Sequence, residues 1–186
     1  MKLIVGLGNP GVKYRNSRHN LGFLIADSLT SRYKLKYKIL NACSSRIAKH
    51  KNFVIGKPQT YMNLSGSAVK CLVKKFRLET KDILVVFDDI NLELGRFKIT
   101  YGGSYYGHNG LKSVIESLHT KDVARLRLGI GTFSSEDLTD FVLGNLTRKE
   151  KNSIDSQLET IIDCCQDWVE EGIDFTMNKY NKRKKE

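Results

Sequence analysis

The polar residues that could carry out chemistry lie just after predicted strands or in turns. These candidates are Asn9, Tyr14, His19-Asn20, Tyr61-Met62-Asn63, Asp88-Asp89 and His108-Asn109. A histidine with a carboxylate at another strand end suits hydrolysis, because the imidazole can take a proton from water while the carboxylate orients it. Side-chain amides can hold peptide groups or an oxyanion. No serine lies in a Gly-x-Ser-x-Gly turn and no cysteine in a nucleophile setting, so water is the predicted nucleophile.

Each candidate also has a purely structural interpretation. A histidine in a loop is often a surface or capping group, Asp88-Asp89 could cap a turn, and Asn63 could cap the helix that follows it. Spacing alone does not show that these side chains meet in space.

A glycine pattern near the start, Gly6-Leu7-Gly8-Asn9-Pro10-Gly11, matches the Gly-x-Gly-x-x-Gly fingerprint of dinucleotide-binding folds. That fingerprint requires a helix to open at the glycines, so that its N-terminal N–H groups face the pyrophosphate. Here the helical pattern starts only after Asn20, and no acidic residue ends a second strand about 20 residues further on. The pattern therefore favours a sharp turn that holds Asn9 beside the strand end.

The composition favours a cytoplasmic protein with a polyanionic partner. The chain has 186 residues, with 31 Lys and Arg against 20 Asp and Glu, and a net charge of +11. An apolar fraction of 40% is enough for a core and excludes disordered and collagen-like classes. No apolar run approaches the ~20 residues of a membrane span, and the first residues predict a strand rather than a signal sequence. Nucleic acid is the simplest polyanion, and an anionic membrane surface is the alternative.

The cysteines stand at Cys43, Cys71, Cys164 and Cys165, and none forms a Cys-x-x-Cys pair. Their spacings suit neither a zinc site nor a disulfide framework. We therefore expect free thiols in a reducing compartment.

Strand patterns alternate with helix patterns along the chain. Strands are predicted at 2–7, 37–40, 46–48, 53–55, 83–87, 96–99 and 125–130, and helices around 23–29, 68–76 and 111–118. One long last helix is predicted from a capping box at Thr147 to about Gly172. This order predicts a single α/β domain over 1–186, with a mixed, mostly parallel twisted sheet flanked by helices and a basic tail at about 181–186. The site of such a sheet lies at the carboxyl ends of its strands.

Several motifs resemble those of bacterial peptidyl-tRNA hydrolases, in that family's order. The first is Val5-Gly-Leu-Gly-Asn-Pro-Gly11 with Tyr14 and Ser17-Arg-His-Asn20-x-Gly22, and the second is Lys57-Pro-Gln-Thr-Tyr-Met-Asn-Leu-Ser-Gly66. Asp88-Asp89, Gly102-Gly-Ser with Gly107-His-Asn-Gly-Leu-Lys112, and Arg125-Leu-Arg-Leu-Gly-Ile-Gly131 complete the series. The resemblance covers the chain from Met1 to about Gly172.

The resemblance implies a monomeric esterase without metal, cofactor or membrane contact. It implies cleavage of the ester between a peptide, or an N-blocked aminoacyl group, and the 3′-terminal ribose of tRNA. Such an enzyme recycles tRNA from peptidyl-tRNA that leaves the ribosome prematurely. An ester is easier to hydrolyse than an amide, so water assisted by a base is a sufficient nucleophile.

The resemblance also implies roles for individual residues. His19 would be the general base, and Asp88 would fix its tautomer and stabilise its protonated form. Asn9 would help to distinguish N-blocked from free aminoacyl-tRNA, because a site built for an amide penalises a desolvated ammonium group. The groove for the tRNA end and the peptide backbone would be lined by Tyr14, Tyr61, Asn63 and Asn109, with His108 adjoining it. Apart from the resemblance, the basic surplus of the chain would supply contacts to tRNA phosphates, and the candidates are Lys98, Arg125, Arg127 and the lysines of the tail.

Some positions depart from the usual residues of that family. Ser17 replaces Thr, Asn91 replaces an acidic residue, and Tyr105-Tyr106 stands where small residues, often glycine, are the rule. Two rings there predict a narrower groove or a more fixed loop. This change is the only support for an alternative function, that of a non-catalytic relative that binds structured RNA.

Overall fold

The computed structural model describes residues 1–131 and 137–181, so most of the predicted basic tail lies outside it. Its strands are β1 (Lys2–Gly6), β2 (Lys38–Leu40), β3 (Ser45–Lys49), β4 (Phe53–Pro58), β5 (Ile83–Asp89), β6 (Phe97–Tyr101) and β7 (Ala124–Gly129). Its α-helices are α1 (Leu21–Arg32), α2 (Ser65–Phe76), α3 (Asn109–Leu118), α4 (Leu138–Leu143), α5 (Arg148–Asp155), α6 (Leu158–Glu171) and α7 (Ile173–Tyr180). None of these helices has the length and apolar character needed to cross a bilayer.

The strands form one sheet in the order β2-β3-β4-β1-β5-β7-β6. The four central strands, β4, β1, β5 and β7, are parallel, and antiparallel pairings add β3 and β2 at one side and β6 at the other. The prediction of an α/β fold with a mixed sheet flanked by helices is confirmed. Because the central strands run parallel, their carboxyl ends meet at one edge, which we call the carboxyl edge.

Alternate residues of the central strands fill a separate core on each face of the sheet. Ile4 and Leu84 pack with α1 and α6, whose Trp168 is almost fully buried. Val5 and Val85 face the other way and pack with α2 and α3. Burial on both faces explains why β5 reads as a continuous apolar run.

The predicted single last helix is wrong in one respect, because it is two helices, α5 and α6. Thr147 does cap α5 through the predicted box. The break falls at Ser156 and Gln157, where the Gln157 N–H donates to the Ile154 carbonyl in a tight turn. The break contains neither proline nor glycine, and the apolar periodicity continues across it. The sequence pattern therefore predicts one helix.

The prediction of free thiols is wrong for two of the cysteines. Cys43, in the turn after β2, forms a disulfide with Cys71 of α2. The two are 28 positions apart, and their meeting depends on α2 packing over the β2–β3 turn. Cys164 and Cys165 are free and buried in α6, and burial raises the pKa of the Cys165 thiol to about 12.

The start of α1 approaches the end of β1 more closely than a side chain would allow. A Cβ atom at Gly22 would lie 2.4 Å from both the Leu7 nitrogen and the Val86 oxygen, and one at Gly6 would lie 2.1 Å from the Gly22 oxygen. The glycines of the first motif therefore permit backbone packing. That packing places the turn before α1, which carries His19, beside the end of β5.

We expect Gly22→Ala to lower the free energy of unfolding by at least ~2 kcal/mol, because the added methyl group meets backbone atoms that cannot rotate away. Gly56→Ala is the matched control in β4, since its Cβ would first meet the Leu72 methyl group at 3.0 Å, which is the end of a flexible side chain. Urea unfolding followed by circular dichroism measures both. Equal losses in the two variants would contradict the close approach of α1 to β1.

Candidate active site

A pocket of about 380 Å³ opens at the carboxyl edge, where the segments after β1, β4 and β5 meet. It gathers all of the residues to which the sequence assigns catalysis or binding of the tRNA end and peptide. These are Asn9, Tyr14, His19, Tyr61, Asn63, Asp88, His108 and Asn109. The side chains that the sequence singled out in separate loops therefore lie together in space.

His19 and Asp88 form the centre of the pocket, and both are buried. Nδ1 of His19 lies 2.9 Å from each carboxylate oxygen of Asp88. Burial of the imidazole opposes its protonation, but the Asp88 carboxylate outweighs that effect, so the pKa of His19 lies above its usual value of 6.5. Nδ1 carries the proton that Asp88 accepts, and Nε2 is the basic nitrogen. Within residues 1–131 and 137–181, no protein group forms a hydrogen bond with Nε2.

His108 donates a second hydrogen bond to the same carboxylate. Its Nε2 lies 3.1 Å from Oδ1 of Asp88, and its Nδ1 accepts from the Leu111 N–H, also at 3.1 Å, as the N-cap of α3. This pair of contacts fixes the proton of His108 on Nε2. Burial lowers the pKa of His108, which keeps the ring neutral. Burial alone would raise the pKa of Asp88, but the two imidazoles hold it well below its usual range.

The ligand atoms of His19, Asp88 and His108 lie within 4.8 Å of one another, close enough to surround a metal ion. A metal needs an unprotonated nitrogen from each imidazole. Nε2 of His108 could offer one only if its proton moved to Nδ1, which would break the cap on Leu111 of α3. The residues therefore fit a hydrogen-bonded triad and not a metal centre.

An ion pair anchors the turn that carries His19. Nε and Nη2 of Arg18 donate to the two carboxylate oxygens of Glu150, at 2.8 and 3.0 Å. Glu150 is itself fixed because it accepts from the Thr147 N–H in the capping box of α5. The box that the sequence predicts as a helix start thus also holds the residue next to His19.

Asn9 is held by three hydrogen bonds. Its backbone N–H donates to the side-chain oxygen of Asn20 at 2.8 Å, and the Asn20 amide donates back to the Asn9 carbonyl at 3.0 Å. The side-chain oxygen of Asn9 accepts from the Met62 N–H at 2.7 Å. The NH₂ group of Asn9 is then the part that can bind a carbonyl oxygen in the pocket. Sequence reasoning noted Asn20 as polar but gave it no role, although its position beside His19 in the first motif was a signal.

The pocket also has apolar walls, of which the sequence analysis singled out only Tyr106. Its other lining residues include Ile90, Tyr106, Leu138, Thr139, Val142 and Leu143. Four of these belong to α4, which at six residues is too short to show a helical period. At the mouth of the pocket, Tyr61 is 60% exposed, and Asn63 and Asn109 are exposed as well.

Two of the candidate phosphate contacts are buried inside the protein. Arg125 is fully buried and donates to two backbone carbonyls, at 2.5 and 2.8 Å. Nε of Arg127 lies 2.6 Å from a carboxylate oxygen of Asp89, which is also buried. Both guanidinium groups have internal partners, which corrects the expectation that they contact phosphate. Lys98 is exposed on the edge strand β6, and the tail lysines lie outside the described residues.

Comparisons with known proteins give a consistent result. The sequence model of the family described as Peptidyl-tRNA hydrolase matches residues 3–186. The chain is 42% identical over 178 residues to a peptidyl-tRNA hydrolase of Methylacidiphilum infernorum, covering 95% of this chain and 96% of that one. It is 40% identical over 185 residues to one of a Sulfurihydrogenibium species, covering 98% of each. A solved peptidyl-tRNA hydrolase from Acinetobacter baumannii is similar with a TM-score of 0.92 and 29% identity, covering 97% of this chain and 94% of that one.

The opposite pKa shifts of the two buried imidazoles are testable by NMR titration of the histidine ring signals. We expect His19 to protonate above pH 6.5 and His108 below it. In Asp88→Asn the pKa of His19 should fall below 6.5, because burial then acts without the carboxylate. An unchanged His19 titration in Asp88→Asn would refute the coupling of these two groups.

Proposed function

Because the chain belongs to the peptidyl-tRNA hydrolase family, we propose that its pocket hydrolyses peptidyl-tRNA with His19 as the general base and Asp88 as the group that orients it. The bond broken is the ester between the peptide, or an N-blocked aminoacyl group, and the 3′-terminal ribose. The observation that carries this proposal is the state of the His19 ring. Its Nδ1 is committed to Asp88, Nε2 has no hydrogen-bond partner among the described residues, and the residue lines the pocket.

The reaction transfers one proton from water to His19 and then from His19 to the ribose oxygen. Nε2 of His19 takes a proton from water as the water oxygen attacks the ester carbonyl carbon. Asp88 stabilises the imidazolium that forms, and it holds the ring in the tautomer that leaves Nε2 free. When the tetrahedral intermediate collapses, the imidazolium returns its proton to the ribose oxygen as the carbon–oxygen bond breaks. The products are the free peptide acid and tRNA with its terminal hydroxyl restored.

The amides around His19 suit a substrate of any peptide sequence. The NH₂ group of Asn9 can donate to a backbone carbonyl or to the developing oxyanion. Asn63 and Asn109 at the mouth can bind further main-chain groups without contacting side chains. A free aminoacyl-tRNA would bring an ammonium group to this site, where a desolvated charge without a partner is unfavourable. This preference would protect ordinary aminoacyl-tRNA from hydrolysis.

The excess positive charge lies in one part of the chain. Residues 28–78 contain 12 of the 31 Lys and Arg residues and no Asp or Glu, so the rest of the chain is nearly neutral, with 19 basic and 20 acidic residues. This segment forms β2, β3, β4 and α2, and it includes the loop with Tyr61 and Asn63 at the pocket mouth. Its field attracts the phosphates of tRNA toward the pocket.

We propose that the protein acts as a monomer, as its resemblance to the family implies. We place it in the cytoplasm, where peptidyl-tRNA is released. The alternative of a non-catalytic RNA-binding relative is not supported, because the catalytic pair is present with the geometry that general-base catalysis requires.

We expect His19→Ala to reduce kcat/KM for N-acetyl-aminoacyl-tRNA about 10²–10⁴-fold, the usual contribution of a general base. The affinity for uncharged tRNA should stay unchanged, because the phosphate contacts remain. His119→Asn serves as the control, since this exposed histidine ends α3 and Asn tolerates its positive φ of 55°. Release of the acyl group from tRNA measures activity. Ordinary turnover by His19→Ala would refute the assignment of the base.

Lys98 remains a candidate phosphate contact, because it is exposed on β6 and pairs with Arg127, in the half of the strand nearer to the carboxyl edge. We expect Lys98→Gln to reduce the slope of log affinity against log salt by about 1. Lys121→Gln, at the exposed bend just before β7 and the opposite edge of the sheet, is the control and should leave the slope unchanged, because it lies outside the 28–78 segment. Equal slopes for wild type and Lys98→Gln would exclude Lys98 from the interface.

A further inference from the structure

The loop at 102–108, between β6 and α3, has an uncommon backbone conformation. Gly102, Gly103, Tyr106 and Gly107 all have positive φ, and Tyr106, at 54°, is the only one of the four with a side chain. This region of φ is unfavourable for a residue with a Cβ atom. A tyrosine persists there only if its surroundings hold it.

The other non-glycine residues with positive φ in the described ranges have a local explanation. Lys34, Ser44, Arg77 and His119 each lie within two residues of the end of a helical segment. A left-handed residue at that position commonly closes a helix. Tyr106 does not follow a helix, so its conformation depends on contacts from other parts of the chain.

Tyr106 is held by a closed ring of contacts. Its aromatic face lies 3.7 Å from the guanidinium carbon of Arg127, and its carbonyl accepts from the Asn91 side chain at 3.3 Å. Arg127 donates to one carboxylate oxygen of Asp89 at 2.6 Å, and the Asn91 side chain donates to the other at 3.0 Å. Asp89 therefore binds Arg127 and Asn91, two residues that contact Tyr106. We call Tyr106, Arg127, Asp89 and Asn91 the Tyr106 clamp.

The clamp connects the two segments that build the catalytic centre. Asp89 follows Asp88 at the end of β5, and Tyr106 precedes His108 by two positions. His108 returns to Asp88 through its own hydrogen bond. Tyr106 also lines the pocket. The clamp thus holds Tyr106 to Asp89, and a hydrogen bond holds His108 to Asp88. The last turn of the loop is therefore bound to two adjacent carboxylates of β5.

We propose that Tyr106 is a positioning residue that holds the 102–108 loop against the pocket, so that His108 and Asn109 are in place before the substrate binds. The inference rests on the proposed function of the pocket. Tyr106 acts through Arg127 and Asp89 and does not contact the reacting atoms. Without its ring, the substrate must order the loop as it binds, which weakens binding more than it slows the chemical step. The effect is therefore expected mainly in KM.

The test compares variants of two neighbouring tyrosines. Tyr106→Gly removes the ring and tolerates the positive φ, so the fold should be preserved. Tyr105→Gly is the matched control, because it removes an equal side chain from the same loop, one that is 44% exposed and outside the clamp. Tyr106→Phe keeps the ring. KM and kcat for N-acetyl-aminoacyl-tRNA, and hydrogen exchange of the loop amides, are measured for each variant.

We expect Tyr106→Gly to raise KM about tenfold, the scale of a desolvated cation–π contact, with kcat changed less than threefold. Loop amides should exchange faster in Tyr106→Gly than in Tyr105→Gly. Tyr106→Phe loses only the hydroxyl, which interacts with Arg125, so its KM and exchange should lie nearer to wild type than to Tyr106→Gly. The proposal is overturned if Tyr106→Gly and Tyr105→Gly have the same KM or the same exchange, or if Tyr106→Phe is as impaired as Tyr106→Gly. Failure of the proposed function is seen separately, as absence of turnover by the wild-type protein.

Discussion

A buried carboxylate shared by two imidazoles is the constraint on which the rest of the site depends. An isolated charge at Asp88 would be very unfavourable in the interior, and it is stable because two ring N–H groups point at it. The two rings are not equivalent. His108 has both nitrogens committed, so it stays neutral and structural, whereas His19 keeps one nitrogen free to gain and lose a proton. The asymmetry gives the pocket one base and one fixed donor.

Two separate sets of contacts hold the two imidazoles in place. The glycine contact between Gly6 and Gly22 brings the turn with His19 to the end of β5, and the Arg18–Glu150 pair holds the outer side of that turn. His108 arrives from the other side as the cap of α3. If the imidazole of His19 or of His108 were displaced, the charged Asp88 carboxylate would lose a hydrogen-bond donor. The packing of the helices and the protonation of the site are therefore energetically linked.

Local patterns predicted most of this fold, and tertiary contacts account for what they missed. The strands and the helices α1, α2 and α3 follow from apolar periodicity. The motifs that resemble those of the family placed His19 and Asp88 in one site. The α5–α6 break lacks a proline or glycine, α4 is too short to show a period, and the Cys43–Cys71 pairing depends on packing between separate elements. Arg125 and Arg127 were expected to contact phosphate. Only the structure shows the loop that covers them.

Because that loop covers Arg127, the two adjacent aspartates have different roles. Asp88 serves the chemistry, and Asp89 holds Arg127 beneath Tyr106, so one strand end supplies a catalytic carboxylate and a structural one in succession. An arginine used in this way cannot also neutralise a phosphate. Attraction of a polyanion must then come from other residues, and we propose the acid-free segment at 28–78, whose strands lie on the opposite side of the sheet. The internal arginines thus hold the loop that lines the pocket, and in the proposed function the surface lysines attract the substrate.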